Sequence, residues 1–158
     1  MKNLKGKTAV LYRRVSTTDQ KDYGMSLSNQ KEQLMNFCSR NDVEIIKDFE
    51  EDYSAKDFNR PVFTELIKLV TQNKNKIDYL LRNKWDRFSR NATEGMNKIH
   101  QFQGLKVEVN CPDQWIDYDD PNHIMMLLFY LGMPQVDNMV RTNRTNTNQQ
   151  GVQRSHSH

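Results

Sequence analysis

Short apolar runs alternate with amphipathic stretches along most of the chain. The run Ala9-Val10-Leu11-Tyr12 ends in charged residues and a Ser-Thr-Thr-Asp cluster, which predicts a buried strand over Thr8–Val15 that leads into a loop. Later runs rich in β-branched or aromatic residues predict further strands at Val43–Phe49, Ile77–Leu81 and Leu105–Val109. Strands that alternate with helices predict an α/β fold, with a mainly parallel sheet of about four strands and flanking helices.

Apolar positions spaced three and four residues apart predict the first of these helices. It carries Leu34, Phe37 and Cys38 on one face, with Ser26 or Ser28 as its N-cap, and it should end near residue 41. After the second strand, the polar composition of residues 50–59 predicts a loop.

The next two helices have sequence signals at their ends. Pro61 suits the first turn of a helix. Its apolar face is predicted to contain Val62, Leu66, Leu69 and Val70. Asn91, with Glu94 three residues later, resembles a capping box, and Gly104 is expected to end that helix.

Asp120-Pro121 then predicts the start of a long C-terminal helix, which Pro134 should kink or divide.

The composition fits one globular domain with a polar C-terminal end. Of the 158 residues, 36% are hydrophobic and 27% are charged, and the formal net charge of +3 is too small to indicate a nucleic-acid partner by itself. Cys38 and Cys111 lie far apart, which predicts reduced, buried thiols. No apolar run approaches the ~20 residues that span a bilayer, and no signal peptide is evident, so a cytoplasmic protein without a membrane partner is expected.

Ser16 follows two arginines at the end of the first predicted strand. A serine hydroxyl is a poor nucleophile unless a base or strong electrostatic interactions assist it. Attack on a phosphodiester builds negative charge on the non-bridging oxygens, which guanidinium groups such as those of Arg13 and Arg14 can hold. A Ser-Thr turn with solvated arginines explains the same residues, and this segment alone favours that simpler explanation.

A second basic segment follows the third predicted strand. Lys84-Trp85-Asp86-Arg87-Phe88-Ser89-Arg90 contains a carboxylate among its cations, and Arg87 and Arg90 point to one side if this turn is helix-like. A solvated run of charges is the usual explanation of such a segment. Because the carboxyl ends of parallel strands meet at one edge of a sheet, however, this segment is expected beside Ser16, where the cations would form a phosphate-binding site.

Taken together, these segments resemble the serine recombinase, or resolvase/invertase, family. The resemblance covers about residues 7 to 145, and a Gly24-containing insertion is more similar to the large transposon and phage types than to the small resolvases. It implies a resolvase-like fold and an N-terminal catalytic domain. The matching residues are Tyr12-Arg13-Arg14-Val15-Ser16-Thr17, Gln20, Ser26-Leu27 with Gln30, Arg60-Pro61, and Asp86-Arg87 with Arg90.

The resemblance implies a role for each matching residue. Ser16 would be the nucleophile that cleaves DNA through a covalent 5′-phosphoserine intermediate and frees a 3′ hydroxyl. Arg14, Arg87 and Arg90 would bind the phosphate and stabilise the transition state. The remaining implied residues are Arg60 as a further active-site arginine, Asp86 as a carboxylate that orients the cluster or shuttles a proton, and Lys84, Gln20 and Gln30 as DNA-binding neighbours.

The C-terminal part resembles the family's long helix, which packs in the dimer interface and then follows the DNA minor groove. Leu131–Asn138 is similar to the start of that helix, although Asp137 stands where many relatives have glutamate. Arg141 and Arg144 would then contact the DNA backbone. Nothing after Arg144 resembles a helix-turn-helix or zinc-ribbon domain, so the chain is expected to be a catalytic domain cut from a longer protein.

We therefore divide the chain into three parts. Residues 1–120 form the predicted resolvase-like catalytic domain, residues 121–145 the long helix for dimerisation and DNA contact, and residues 146–158 a disordered tail, because beyond residue 140 only Val152 is aliphatic. The implied partners are double-stranded DNA and a second copy of the chain, with a tetramer in the synaptic complex.

No cofactor is implied, and two other functions stay open. The motifs of metalloproteases, P-loops and dinucleotide sites do not occur, and the histidines are scattered, which predicts neither a metal site nor a bound nucleotide. The main alternative is a non-catalytic α/β module whose arginines bind phosphate or DNA while the serine is idle. A flavodoxin-like nucleotide-binding domain is disfavoured, because glycines are missing from the loops after the first and third strands.

Overall fold

The sheet contains four parallel strands in the order β2-β1-β3-β4. In the computed structural model, which describes residues 2–15, 27–52, 60–85, 88–89, 91–132 and 143–144, β1 (Thr8–Val15) pairs with β2 (Glu44–Asp52) and with β3 (Tyr79–Leu81). Strand β3 also pairs with β4 (Glu108–Asn110). The predicted α/β fold and the predicted bounds of the first strand are confirmed.

Helices connect the strands and cover both faces of the sheet. They are α1 (Leu27–Arg40), α2 (Pro61–Gln72), α3 (Ala92–Gly104) and α4 (121–132), and a short 3-10 turn spans Pro112–Gln114. The long C-terminal helix of the prediction is described as α4, and residues 143–144 are helical as well. The predicted kink at Pro134 and the predicted tail over 146–158 lie outside the described residues.

Alternation along β1 divides the core into two layers. Ala9 and Leu11 belong to the layer under α1, which also contains Leu34, Phe37 and Cys38. Val10 and Tyr12 belong to the larger layer on the opposite face. Successive side chains of a strand point to opposite faces, so neighbouring residues at the end of β1 enter different environments. The larger layer includes Phe49, Phe63, Leu66, Leu80, Trp85, Phe88, Ile99, Phe102, Val109, Leu127 and Leu131.

Strand β2 is longer than predicted. The polar composition after Phe49 predicted a loop over 50–59, yet the strand continues to Asp52 and pairs with β1 as far as Val15. The acidic side chains of β2 have partners on β1, because Asp48 and Glu50 pair with Arg13 while Glu51 accepts a hydrogen bond from Tyr12. The polar residues after Phe49 were predicted to lie in a solvent-exposed loop. In the fold, the neighbouring strand β1 supplies them with partners.

The chain between α3 and β4 also differs from the prediction. Gly104 is the last residue of α3, and the left-handed backbone conformation is found two residues later, at Lys106, with φ of 62°. The amides of Lys106 and Val107 return to carbonyls of the last helical turn, so Leu105 lies in a turn and β4 begins only at Glu108. The predicted strand over Leu105–Val109 started too early.

Three of the four described helices begin as the sequence signals predict, and one of them is α2, which starts at Pro61. The Asn91 side chain accepts a hydrogen bond from the Glu94 amide at 2.9 Å, and Asp120 accepts one from the Asn122 amide at 2.9 Å, which confirms both predicted caps. Ser28 is wrong as a cap because α1 already begins at Leu27. Ser26, the alternative cap, lies outside the described residues.

Candidate active site

The two arginines before Ser16 point to opposite faces of the sheet. Arg13 is buried on the α1 face, where its Nε and Nη2 donate to the two carboxylate oxygens of Asp48 at 3.1 and 2.8 Å. Nη2 also lies 3.4 Å from Glu50 Oε2. This bidentate ion pair gives Arg13 a structural role, because it joins β1 to β2. Of the two arginines before Ser16, only Arg14, on the opposite face, is then a candidate for binding phosphate.

Tyr12 and Glu51 form a buried hydrogen-bonded pair beside Arg14. The Tyr12 hydroxyl donates to Oε2 of Glu51, and Glu51 is the register partner of Arg14 across the strand pair. Burial raises the pKa of the Tyr12 hydroxyl above its ordinary value, and the hydrogen bond and negative charge of Glu51 raise it further, whereas Arg82 and Arg14 lower it. Tyr12 therefore stays protonated and donates to a carboxylate at the base of the site.

Arg60 lies immediately before α2 and reaches across to the turn after β3. Its Nη1 donates to the Phe88 carbonyl oxygen at 3.1 Å. Lys98 on α3 donates to the same oxygen at 3.4 Å and pairs with Glu94 at 2.9 Å. Elements that are far apart in sequence thus place two cations at one carbonyl group.

Four positive charges approach one another on this side of the sheet. Burial lowers the pKa of the Lys98 ammonium group; the hydrogen bond to Glu94 opposes that shift, and the charges of Arg60 and Arg14 lower the pKa further. Arg82 acts on the nearby Tyr12 hydroxyl in the same way as Arg14. Like charges gathered at a sheet edge, at an energetic cost to the protein, are a feature of sites that bind anions.

Trp85 and Phe88, which flank Asp86 and Arg87 in the sequence, are buried and hydrogen-bonded. The Trp85 amide donates to Gln114 Oε1 at 3.1 Å, and the Trp85 indole donates to the Gln114 carbonyl at 2.9 Å. The Phe88 amide donates to the Trp85 carbonyl at 3.2 Å. Within the predicted phosphate-binding segment, Trp85 and Phe88 are therefore anchored in the core.

A glycine on α3 permits close packing of this turn. A Cβ atom on Gly95 would lie 2.6 Å from the Ser89 hydroxyl and 3.0 Å from a methyl carbon of Leu131 on α4. A Cβ atom at residue 95 would force the Ser89 hydroxyl to move and the Leu131 methyl group to give by a few tenths of an ångström, so glycine lets α3 pack closely against both residues.

The structure brings together some of the predicted site residues. Arg14 and Arg60 both act on the Lys98 ammonium group, so they lie on the same side of the sheet. Lys84 is exposed, and Gln30 is half-buried on α1, where its carbonyl accepts from Asn83 Nδ2 at 3.0 Å. Arg144 is an exposed helical residue. The predicted residues outside the described part of the chain are Ser16, Gln20, Asp86, Arg87, Arg90 and Arg141.

Sequence reasoning missed three charged residues of this region. Glu51 was placed in a loop, whereas Arg82 and Lys98 lack any motif that would mark them as functional. Arg82 directly follows an apolar strand, and Lys98 lies between buried residues of α3. The one signal in the sequence was a charged residue at a position where the pattern calls for an apolar one.

The described residues show neither a metal cluster nor a membrane-spanning helix. Among the ranges described, no group of three or more His, Cys, Asp or Glu side chains could hold a metal ion. No described helix is long and apolar enough to cross a bilayer. Cys38 and Cys111 are buried, as predicted, and burial raises the pKa of the Cys38 thiol to about 11.

Comparison with known proteins identifies the family of this chain. Residues 9–155 match the family model for the resolvase N-terminal domain. The chain belongs to the resolvase family, whose members are site-specific DNA recombinases, and it corresponds to the family's catalytic domain. DNA as substrate and assembly into oligomers are general to this family, and the resemblance stated from the sequence is confirmed. Comparison with curated proteins found no match.

Solved structures show the same fold in several recombinases. A resolvase family site-specific recombinase from Streptococcus pneumoniae is 27% identical with a TM-score of 0.62, over 94% of this chain and 98% of that one. The C-terminal catalytic domain of ISC1926 TnpA, an IS607-like serine recombinase, is 26% identical with a TM-score of 0.53, over 66% and 69%. The N-terminal catalytic domain of TP901-1 integrase shares the fold at 20% identity with a TM-score of 0.62, over 85% and 98%.

Proposed function

We propose that this chain cleaves DNA by nucleophilic attack of Ser16 on a phosphodiester. The Ser16 Oγ forms a bond to phosphorus while the bond from phosphorus to the 3′ oxygen breaks, and the departing strand takes up a proton to become a 3′ hydroxyl. The 5′ end stays attached to the protein as a phosphoserine. Attack by the 3′ hydroxyl of another strand reverses these bond changes, so rejoining needs neither a nucleotide nor a metal ion.

One observation carries this proposal. Arg14 lies at the end of β1, which leads directly to Ser16, and Arg60 donates to the carbonyl oxygen of Phe88, the residue after Arg87. Both guanidinium groups are close enough to Lys98 to lower the pKa of its ammonium group. Guanidinium groups bind phosphate oxygens through paired hydrogen bonds and stabilise charge that develops during attack. We assign that role to Arg14, Arg60, Arg87 and Arg90.

The other polar residues receive supporting roles in this proposal. Asp86 orients the arginines or transfers the proton of Ser16. Lys84 is exposed and adds positive charge, and we assign DNA contacts to Gln20, which follows Ser16 in the sequence, and to Gln30 in the first turn of α1. Arg141 and Arg144 contact the DNA backbone along the C-terminal helix.

The experiment that tests the proposal is capture of a covalent protein-DNA adduct. Gapped duplexes of randomised sequence, labelled at the 3′ end of each strand, are incubated with the protein and separated under denaturing conditions. We expect label that migrates with the protein and is released by protease. Absence of any adduct, together with salt-sensitive DNA binding, would favour the alternative of a non-catalytic phosphate- or DNA-binding module.

Replacement of Arg87 or Arg90 by lysine should slow adduct formation despite the retained charge. An ammonium group cannot reproduce the planar fork of guanidinium, and loss of one transition-state donor typically costs roughly 100-fold in rate. The measurement is the adduct rate at saturating DNA, with Lys84→Arg as the matched control in the same segment. Rates near wild type in both lysine variants would mean that Arg87 and Arg90 contribute only positive charge and no specific hydrogen bonds.

Helix α4 presents an apolar surface that suits a second subunit. Leu127 and Leu131 pack in the core, whereas Met125 and Phe129 are 71% and 65% exposed on the other side of the helix. Met126 and Leu128 are also exposed. Large exposed apolar side chains clustered on one helix mark interaction sites. We propose a homodimer through this helix and a tetramer during strand exchange.

The dimer proposal predicts the effect of a charge on α4. Phe129→Lys should raise the dimer dissociation constant roughly 30-fold, equivalent to about 2 kcal/mol, because a central aromatic contact is replaced by a buried charge. Sedimentation at several protein concentrations measures this change. Ile46→Lys is the control, since Ile46 is an exposed apolar residue on β2, 42% accessible. Equal effects of the two variants would place the interface elsewhere.

A further inference from the structure

Phe88 lies at the centre of the predicted phosphate-binding segment and is surrounded by cations from three elements. Its ring is fully buried. The Arg82 guanidinium carbon lies 5.3 Å from the ring centroid and the Lys98 Nζ lies 5.8 Å from it. Both separations are within the range of cation–π attraction. The Phe88 carbonyl oxygen accepts from Arg60 and Lys98, so both its side chain and its backbone are held.

Arg82 also connects this residue to strand β1. The same guanidinium carbon lies 5.5 Å from the Tyr12 ring centroid, and Arg82 is only 6% exposed. One buried cation therefore lies over two rings, one on the strand that carries Arg14 and one on the turn that carries Arg87. Any shift of the turn relative to the strand must move a ring away from this cation.

Lys98 contacts Phe88 from helix α3. Its ammonium group lies 5.2 Å from the Phe63 ring centroid on α2, and Glu94 fixes it at 2.9 Å. Its side chain is 15% exposed. The donors of Lys98 are directed at a protein carboxylate and a protein carbonyl, so its contacts lie within the fold rather than toward a DNA phosphate.

We infer that Arg82 and Lys98 are positioning residues for the recombinase reaction, holding Phe88 so that Arg87 and Arg90 stay in register with Arg14. Neither residue belongs to the motifs that carry the family resemblance. The inference rests on the proposed function, because it takes Arg87 and Arg90 to be the phosphate-binding groups. If Arg82 and Lys98 bound phosphate themselves, their replacement would weaken the affinity for DNA. A positioning role predicts a slower reaction with unchanged affinity.

The first test compares Arg82→Met and Lys98→Met with wild-type protein. Methionine keeps much of the apolar bulk and removes the charge. At saturating DNA we expect adduct formation to slow roughly 10- to 100-fold, because small displacements of catalytic groups have effects of this size. The half-saturating DNA concentration and the salt dependence of binding should stay as in wild type. Exposed cations on α1 and α2 provide the controls, Arg40→Met and Lys68→Met.

A second measurement does not depend on catalysis. The Phe88 amide donates to the Trp85 carbonyl, so amide hydrogen exchange of the peptide that spans residues 85–89 reports whether the turn is held. We expect faster exchange there in both methionine variants and no change in the controls. If a methionine variant unfolds, the glutamine variants Arg82→Gln and Lys98→Gln replace it in both measurements.

The outcomes separate this inference from the proposed function. A wild-type protein that forms no adduct refutes the proposed function, while faster exchange in the variants would still show that the two cations hold the turn. Folded variants with a wild-type adduct rate and unchanged exchange refute the inference alone. A loss confined to DNA affinity, with a weaker salt dependence of binding, would make Arg82 and Lys98 phosphate ligands and would also overturn it.

Discussion

Replacement of Ser16 by alanine is expected to abolish covalent attachment to DNA while leaving the fold intact. The hydroxyl oxygen is the atom that forms the bond to phosphorus, and no other group of alanine can replace it. The surrounding arginines can still bind a phosphate, so the variant should bind DNA with an affinity close to that of wild type. The rate of adduct formation should fall below detection.

The measurement combines the adduct assay with a binding assay on the same gapped DNA. Ser39→Ala is the control, because Ser39 is an exposed serine on α1, and it should form the adduct at the wild-type rate. Adduct formation by Ser16→Ala at a normal level would transfer the nucleophile's role to another residue. Loss of both adduct and thermal stability would instead mean that Ser16 has a structural role.

Replacement of Asn110 by alanine should destabilise the protein by about 3 kcal/mol, because several buried polar groups would lose their partners at once. Asn110 is fully buried at the end of β4. Its Nδ2 donates to the Ile116 carbonyl at 2.9 Å, and its Oδ1 accepts from the amides of Ile116 and Cys111 at 2.9 and 3.0 Å. Alanine leaves these backbone groups buried and unpaired.

Urea unfolding measures this effect, with Asn36→Ala as the control. Asn36 is exposed on α1, and its replacement should change the free energy of unfolding by less than about 0.5 kcal/mol. A loss below about 1 kcal/mol in Asn110→Ala would mean that water replaces the lost hydrogen bonds. A functional effect should accompany the loss, because Asn110 fixes the chain over 111–116, and Gln114 in that chain anchors Trp85 beside the active-site turn.

The alternation of apolar residues and the capping signals were sufficient for most of the fold. Strand β1 and helix α2 follow directly from their apolar patterns, and the Asn91 and Asp120 caps follow from local hydrogen-bonding chemistry. These features depend on residues close together in the chain, where spacing alone determines which groups meet. The family resemblance likewise depends on the order and spacing of residues.

The sequence was less informative where a charged residue has a partner from a distant segment. Arg13 and Arg14 are adjacent and chemically alike, yet Arg13 is committed to Asp48 on the α1 face and Arg14 lies on the other face. Glu51 looked like a loop residue because its partner, Tyr12, is 39 positions away. Nothing in the local pattern distinguishes a solvated charge from one that is paired across the sheet.

The sequence by itself determined the α/β fold, the position of Ser16 after the first strand and the set of arginines that mark a recombinase. Only the tertiary structure decided which cations share the sheet edge and which hold the site turn in place. Arg82 reaches Phe88 from the position directly after β3, and Lys98 reaches it from α3. They meet because parallel strands bring their carboxyl ends to one edge and the covering helices lie against it. Such convergence is set by packing across the sheet, which the spacing of residues along the chain does not encode.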